Sequence, residues 1–332
     1  MIATLTMNPS MDRTIELATP LQRGGVQRAL SLTSQAAGKG VNVARALAAG
    51  GLRTLAVLPG DPHDPVVLGL ADIDLPHVAL PIGQPLRSNL TLAEADGTTT
   101  KVNAPGPLLD AGHQRALVEA VLAAADGASW LVMAGSLPPG VAPEFYAGLV
   151  AEVRAKLGAR APRIAVDTSG APLAALFAAG PDSAPDLIKP NAEELAELTG
   201  EGTEPELEAD PEHAARAALR LIEAGAGAVL ATLGSKGAVL ATGAGSWHAT
   251  HDPVTARSTV GAGDSALAGY LLADAAGGGP ADCLRQAVAH GSAAVALPGS
   301  TIPAPEHTNP RAVTVAALPA PLPTPLPTEG KP

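Results

Sequence analysis

The chain has 332 residues, enough for one large α/β domain, and 46% of them are hydrophobic, enough for a full-sized core. A formal net charge of −11 argues against a surface that binds nucleic acid or an anionic membrane. A single cysteine, Cys283, excludes an intramolecular disulfide and a cysteine-rich metal site. Since no signal peptide and no membrane-spanning apolar run is visible, we expect a cytoplasmic protein without a membrane partner.

Short runs rich in β-formers alternate with helical runs rich in Ala and Leu. This alternation predicts a mostly parallel sheet that is covered by helices on both faces. The predicted elements, in chain order, are a strand at 2–6, a helix at 38–49, a strand at 54–58, a helix at 111–125, a strand at 130–134, a helix at 143–157, strands at 163–167 and 187–189, helices at 192–199 and 211–224, strands at 228–232 and 238–241, and helices at 263–276 and 281–296.

One stretch departs from this alternation. Residues 88–94 and 98–103 flank Asp96-Gly97, a dipeptide typical of a hairpin turn, and residues 14–17 form a further short alternating run. These runs predict a small β-sheet that projects from the main sheet as a lid. The alternative is that they are edge strands of the main sheet.

The end of the chain is rich in proline, which has no backbone N–H and fits neither a helix interior nor a central strand. The sequence therefore predicts a domain at 1–302 and a disordered tail at 303–332.

The segment with the clearest chemistry is Gly261-Ala262-Gly263-Asp264, which leads into a helix. The glycines permit a tight turn, and the first N–H groups of a helix have no partner within it, so they bind anions. An acidic residue in a first helical turn is commonly only a stabiliser of the helix dipole. Beside an anion site, however, Asp264 suits phosphoryl transfer, in which the amides hold the phosphoryl group and the carboxylate accepts a proton from the attacking hydroxyl.

Two further segments are weaker signals. Gly38-Lys39-Gly40 opens another helix, and Lys39 and Asn42 share a face near its beginning. Asn191 is a good helix N-cap with Glu194 at the position of a capping box, so this pair has a purely structural interpretation. The alternative is that Asn191 and Glu194 lie at a hydrated Mg²⁺ near nucleotide phosphates.

Together the three segments resemble motifs of the PfkB (ribokinase-like) carbohydrate kinase family, in the family's order, and the resemblance covers roughly residues 1–300. It implies a ribokinase-like three-layer α/β/α fold with a small β-sheet lid. Within the family the resemblance is greatest to the 1-phosphofructokinases, on the opening Thr6-Met7-Asn8-Pro9-Ser10-Met11-Asp12, on Asp167-Thr168-Ser169-Gly170 and on Arg87-Ser88-Asn89-Leu90-Thr91.

The resemblance implies ATP and Mg²⁺ as cofactors, a sugar phosphate as the small-molecule substrate, and a role for each matching position. Asp264 would be the catalytic base, with Gly261, Ala262 and Gly263 as the anion hole. The sugar phosphate would be bound by Asp12, Gly38, Lys39, Asn42, Arg87 and Ser136, with Arg87 facing its phosphate. ATP would lie near Lys189, Asn191, Thr232, Gly234 and Gly237, and Glu194 would hold Mg²⁺ through water.

The resemblance implies phosphorylation of fructose 1-phosphate to fructose 1,6-bisphosphate. The alternatives are tagatose 6-phosphate or fructose 6-phosphate as acceptor, a kinase of an unphosphorylated sugar or nucleoside, and a regulator that has kept the fold without catalysis. A dinucleotide oxidoreductase fits poorly, because no strand is followed by the full glycine fingerprint. Apolar residues such as Leu90 and Leu92 on the outer face of the lid predict a homodimer.

Overall fold

The computed structural model describes residues 1–299 and 301–319. Within them the strands are β1 (Ile2–Leu5), β2 (Ser10–Leu17), β3 (Ala29–Ala37), β4 (Thr54–Pro59), β5 (His77–Leu80), β6 (Arg87–Glu94), β7 (Thr99–Asn103), β8 (Trp130–Ala134), β9 (Arg163–Asp167), β10 (Leu187–Ile188), β11 (Ala228–Thr232), β12 (Ala238–Thr242), β13 (Gly245–His251) and β14 (Val313–Ala317). The α-helices are α1 (Lys39–Ala49), α2 (Pro65–Asp72), α3 (Ala111–Ala125), α4 (Phe145–Leu157), α5 (Gly170–Ala178), α6 (Ala192–Thr199), α7 (Glu204–Ala209), α8 (Pro211–Glu223), α9 (Ala262–Ala275) and α10 (Pro280–Val295).

The described strands form a ten-stranded sheet in the order β14-β13-β12-β11-β10-β9-β8-β1-β4-β5. From β5 to β11 neighbouring strands are parallel, and β12, β13 and β14 add an antiparallel extension. The parallel part follows from the helical crossovers that the alternation predicts. The predicted α/β class with a mostly parallel sheet is confirmed.

The central strands are buried on both faces, as all five residues of β8 illustrate. Alternate residues of this strand enter two different cores, since Leu131 and Met133 pack with α3, α4 and α8, whereas Trp130 and Val132 pack with α1, α9 and α10. Because each face of the sheet buries its own set of side chains, the molecule has three layers.

The lid is a separate four-stranded sheet in the order β3-β2-β6-β7. In it β2 pairs in parallel with β6, while β3 and β7 are antiparallel to their neighbours. The prediction of a separate lid is confirmed, and the alternative of edge strands in the main sheet is wrong. The sequence analysis did not predict β3, although this strand extends the lid on one side.

The two faces of the lid differ in polarity because side chains alternate along each strand. One face carries Ser10 and Asp12 next to Arg87 and Asn89. The opposite face carries apolar residues in register, with Ile15 between Leu32 and Leu92, and with Leu90 beside Val102. Of these apolar residues, Leu32 and Val102 are 60% and 57% exposed.

The sequence analysis did not predict helix α2. The structure places Pro65 at the beginning of the helix, where a proline costs no hydrogen bond. The carboxylate of Asp64 caps the helix by accepting the N–H of Val66 at 2.8 Å.

The expectation of an unstructured tail from residue 303 is wrong for part of that segment. Strand β14 pairs over five residues with β13 at the edge of the main sheet, and Val313 is buried. An edge strand tolerates prolines on either side of it, since they interrupt no inner ladder. Residues 320–332 lie outside the described residues, and the boundary at residue 302 stays a prediction.

We expect truncation after residue 302 to destabilise the protein, because it removes β14. The lost burial of Val313 alone costs about 2 kcal/mol. The melting temperature from circular dichroism should be several degrees lower for this chain than for one that ends after residue 319 and keeps β14. Equal melting temperatures for the two truncated chains would contradict a stabilising role of β14.

Candidate active site

A cavity of about 360 Å³ opens at the carboxyl ends of the parallel strands, below the polar face of the lid. This edge of an open parallel sheet is where ligands of α/β proteins bind. The lining residues come from the lid, from the beginnings of α1, α6 and α9, and from the ends of β9, β10 and β11. They are Ser10, Asp12, Gly38, Lys39, Asn42, Arg87, Asn89, Asp167, Lys189, Asn191, Glu194, Thr232, Thr259, Val260, Gly261, Gly263 and Asp264.

The beginning of α9 is one wall of this cavity. Gly261 precedes the helix with φ 75°, a left-handed conformation that glycine adopts without steric cost. The Ala262 N–H makes a long bond of 3.4 Å to the Thr259 carbonyl. Within the described residues, no acceptor contacts the N–H of Gly263 or the N–H of Asp264. Two free amides at a helix N-terminus make an anion site.

The side chain of Asp264 lies in the cavity wall and is only 5% exposed. Its Oδ2 accepts a hydrogen bond of 2.8 Å from the Nδ2 of Asn42 on α1. Burial and the nearby Asp167 carboxylate raise the pKa of Asp264 to about 6, against the opposing effects of Lys39, the Asn42 hydrogen bond and Lys189. Asp264 is therefore ionised at neutral pH and more basic than an ordinary aspartate, which suits a general base.

Asp167 joins two lysines beneath the same cavity. Its Oδ1 lies 2.7 Å from Lys39 Nζ, and its Oδ2 lies 3.0 Å from Lys189 Nζ. Burial alone raises the pKa of Asp167, but the charges of Lys189 and Lys39 outweigh burial and hold this pKa below its usual value. Burial opposes the charge on Lys39, and the two aspartates overcome it and raise the pKa of Lys39. Asp167 and Lys39 thus each favour the charged form of the other.

The lid contributes a second polar cluster, centred on Asp12. Asp12 Oδ1 accepts hydrogen bonds from Ser10 Oγ at 2.7 Å and from Asn89 Nδ2 at 3.0 Å. The Oδ1 of Asn89 is buried without a partner among the described residues, as is the Oδ1 of Asn42. Buried acceptors that lack a donor favour a ligand that brings hydroxyl groups.

Arg87 lies beside this cluster and supplies positive charge. Its Nε donates to the Asn8 carbonyl at 3.2 Å, and its Nη1 donates to the Ala104 carbonyl at 3.1 Å. These bonds fix the plane of the guanidinium. Burial lowers the pKa of Arg87 and Asp12 partly offsets this effect, but an arginine remains charged at neutral pH.

Asn191 and Glu194 form the capping box that the sequence predicts. Asn191 Oδ1 accepts the N–H of Glu194 at 2.7 Å, and Glu194 Oε2 accepts the N–H of Asn191 at 2.9 Å. Both residues also line the cavity. The structural role of this pair is therefore present, and it leaves Glu194 Oε1 for other partners.

A second cavity of about 580 Å³ adjoins the first, since Thr232, Thr259 and Gly263 line both. Its walls are mostly small and apolar, with Ala287 and Val288 from α10 on one side. Such a slot beside an anion site suits a nucleotide, with its base between the apolar walls and its phosphates towards α9.

The structure brings most of the predicted site residues together. Those that line the first cavity are Asp12, Gly38, Lys39, Asn42, Arg87, Lys189, Asn191, Glu194, Thr232, Gly261, Gly263 and Asp264. Those that line the second are Ala262, Gly234 and Gly237, together with the shared Thr232 and Gly263.

Ser136 lines neither cavity. It is exposed at the end of β8, where its Oγ accepts a hydrogen bond of 3.2 Å from Asn8 Nδ2. Its predicted contact with the acceptor, like every other residue role, stays a prediction.

The sequence analysis missed Asp167, Ser10, Asn89, Thr259 and Val260 as lining residues. Asp167 was noted only as part of a resemblance, without a role. Its position at the end of a strand was the signal that could have found it, because the carboxyl ends of parallel strands meet at one edge. Ser10 and Asn89 become neighbours only through the pairing of β2 with β6.

Comparison with known proteins decides the family. The model of the pfkB family of carbohydrate kinases matches residues 5–307. The chain belongs to this family. A 1-phosphofructokinase from Haloferax volcanii is 35% identical over 305 residues, which cover 91% of this chain and 93% of that protein.

Two comparisons with Escherichia coli proteins agree with this membership. The ATP-dependent 6-phosphofructokinase isozyme 2 of that organism is 34% identical over 91% of this chain and 94% of its own. The crystal structure of phosphofructokinase-2 from Escherichia coli in complex with substrates and products superposes with a TM-score of 0.82. At 32% identity, the superposition covers 92% of this chain and 96% of the other. The chain is thus a sugar kinase of the pfkB type, in a family that uses ATP as phosphate donor.

Among the helices that the structure describes, none is long and apolar enough to cross a membrane.

We expect kcat/KM to fall as the pH drops through about 6, because Asp264 must be ionised to accept a proton. ADP release with an accepted sugar phosphate, measured from about pH 5 to 8, checks this expectation.

Asp264→Asn should lower kcat by about 10²–10⁴-fold and leave ATP binding in place. Near-normal turnover by this variant would exclude Asp264 as the base.

Proposed function

We propose that this protein transfers the γ-phosphoryl group of ATP to the free primary hydroxyl of fructose 1-phosphate, giving fructose 1,6-bisphosphate. The observation that carries the proposal is the buried Asp264 beside the free amides of α9, in a cavity that also contains the cationic Arg87. The curated relative from Haloferax volcanii is named 1-phosphofructokinase, which supports this acceptor. Tagatose 6-phosphate and fructose 6-phosphate are the alternatives, since they need the same base and the same phosphate-binding cation.

In the proposed reaction the acceptor hydroxyl gives its proton to Asp264 while its oxygen attacks the γ-phosphorus in line. The bond between the γ-phosphorus and the bridging oxygen of ATP breaks, and ADP leaves with its electron pair. Asn42 holds the carboxylate in place through its hydrogen bond. The N–H groups of Gly263 and Asp264 stabilise charge on the transferring phosphoryl group. Asp12 and the Oδ1 of Asn42 accept hydrogen bonds from sugar hydroxyls. The lid excludes water from the phosphoryl group.

Mg²⁺ fits the residues on the nucleotide side. Glu194 Oε1 takes no part in the capping bond. Within the described residues there is no group of three His, Cys, Asp or Glu side chains that could hold a metal by itself. Mg²⁺ keeps several waters and commonly uses one or two carboxylates plus substrate phosphates. Glu194 would hold it through water, and the ion would neutralise charge on the ATP phosphates.

Arg87 supports an acceptor that already carries a phosphate. Its Nε and Nη1 are bonded to carbonyls, and it lines the sugar side of the cavity next to Asp12. A fixed guanidinium is the usual partner for a phosphate group. An acceptor without a phosphate would leave this half-buried guanidinium without an anionic ligand, which disfavours an unphosphorylated sugar or a nucleoside.

A substrate screen with MgATP tests the proposal. We expect the highest kcat/KM for fructose 1-phosphate when it is compared with fructose 6-phosphate, tagatose 6-phosphate and fructose, by ADP release.

Arg87→Ala should raise the KM of the sugar phosphate at least about tenfold, since a charge-assisted bond is worth about 1.5–3 kcal/mol. Equal activity on fructose and on its phosphates would contradict the role of Arg87, and absence of turnover on all four sugars would contradict the function.

We further propose a homodimer that forms through the apolar face of the lid. Leu32 and Val102 on this face are more than half exposed, and Ile15, Leu90 and Leu92 continue it across the sheet. An exposed apolar face on a sheet favours association, and the opposite face is occupied by the cavity. A second lid supplies the same apolar surface, as a two-fold interface requires.

We expect the wild-type protein to sediment as a dimer at micromolar concentration and Leu32→Glu to sediment as a monomer. The matched control is Thr33→Glu, which puts the same charge on the opposite face of β3 and should stay dimeric. A wild-type protein that is monomeric at this concentration would contradict the proposal.

A further inference from the structure

The proposed reaction leaves three charged side chains of the cavity without a task, namely Asp167, Lys39 and Lys189. Asp167 is fully buried at the end of β9, and its carboxylate contacts the ammonium groups of Lys39 and Lys189. Taking a carboxylate out of water costs several kcal/mol unless cations compensate it. Here two cations meet one carboxylate, which is more positive charge than Asp167 alone needs.

The surplus charge lies next to the reacting groups. An added Cβ on Gly263 would lie 3.0 Å from Lys189 Nζ, so this ammonium touches the beginning of α9. Lys39 is in the first turn of α1, three residues before the Asn42 that holds Asp264. Asp167 therefore connects the wall that carries the anion site with the wall that holds the base.

We infer that Asp167 is a positioning residue for phosphoryl transfer: its carboxylate holds the ammonium groups of Lys39 and Lys189 beside Asp264 and the free amides of α9. This inference rests on the proposed kinase function. Without Asp167, nothing else among the described residues lies within ion-pair distance of the buried Lys189.

The second effect of Asp167 is on the base itself. The negative charge of Asp167 raises the pKa of Asp264, and the two ammonium groups lower it. The other charged groups around Asp264 are Glu194 on α6, which raises the pKa of Lys39, and Arg87 and Asp12, which line the cavity from the lid. With Asp167 in place, the pKa of Lys39 stays raised and Asp264 keeps its basicity.

The test measures the pH at which kcat/KM falls on the acid side, called the acid limb. If Asp167 only stabilised the fold, its substitution would not move this pH in a defined direction. Asp167→Asn removes a negative charge, so the limb should move down by about one pH unit and kcat should fall about 10²-fold. Lys189→Met removes a positive charge, so the limb should move up. The double variant should lie between the two single variants, because the two charge changes cancel.

Asp274→Asn is the matched control. Asp274 is also a mostly buried aspartate in an ion pair, with Arg163, and it accepts a hydrogen bond from Trp130 on the far side of the molecule. This variant should lose stability without moving the limb. If circular dichroism shows that Asp167→Asn does not fold, the comparison of Lys189→Met with the double variant still tests the inference. Adding Asp167→Asn to Lys189→Met must move the acid limb of kcat/KM to lower pH.

The inference is overturned if Asp167→Asn leaves the limb in place, or if both single variants move it in the same direction. The wild-type enzyme is assayed first on the sugar phosphates. Absence of turnover there contradicts the proposed function, whereas normal turnover with an unmoved limb in the variants contradicts only the role of Asp167.

Discussion

A group of four charged side chains, three of them buried and Lys39 partly exposed, holds the active site together. Asp167 and Asp264 face Lys39 and Lys189 at the carboxyl edge of the sheet. Each comes from a different part of the fold, namely the end of β9, the beginning of α9, the beginning of α1 and the residue that follows β10. Because removal of one member leaves an uncompensated buried charge, these four segments must meet in one arrangement.

Around this group the cavity divides into two chemically different halves. The sugar side is polar and hydrogen-bonded, with Asp12 and Arg87 from the lid. The nucleotide side is built from small apolar residues of α9 and α10, in keeping with a chain in which aromatic residues make up only 2%. A sugar phosphate and a nucleotide base therefore meet different surfaces, and the transferred group passes between them at the beginning of α9.

The capping box at α6 illustrates how a structural and a functional interpretation can hold for the same residues. Asn191 and Glu194 satisfy each other's backbone N–H groups, which is sufficient to explain their identities. The helix that they begin is nevertheless aimed at the cavity, and one oxygen of Glu194 is not used by the cap. A residue that caps a helix N-terminus lies where the positive end of the helix dipole attracts anions, so it is also well placed near an anionic ligand.

The sequence by itself determined the local features: α3 and β8 begin and end where the pattern predicts, and the glycine turn places Asp264 in the first turn of α9. Such features depend on hydrogen bonds and side-chain periods between near neighbours, which the sequence states directly. Only the tertiary structure decided that Asp167 meets Lys39, 128 residues away in sequence, and that β14 closes the sheet edge beside β13. These contacts depend on which strands become neighbours, and no local pattern contains that information.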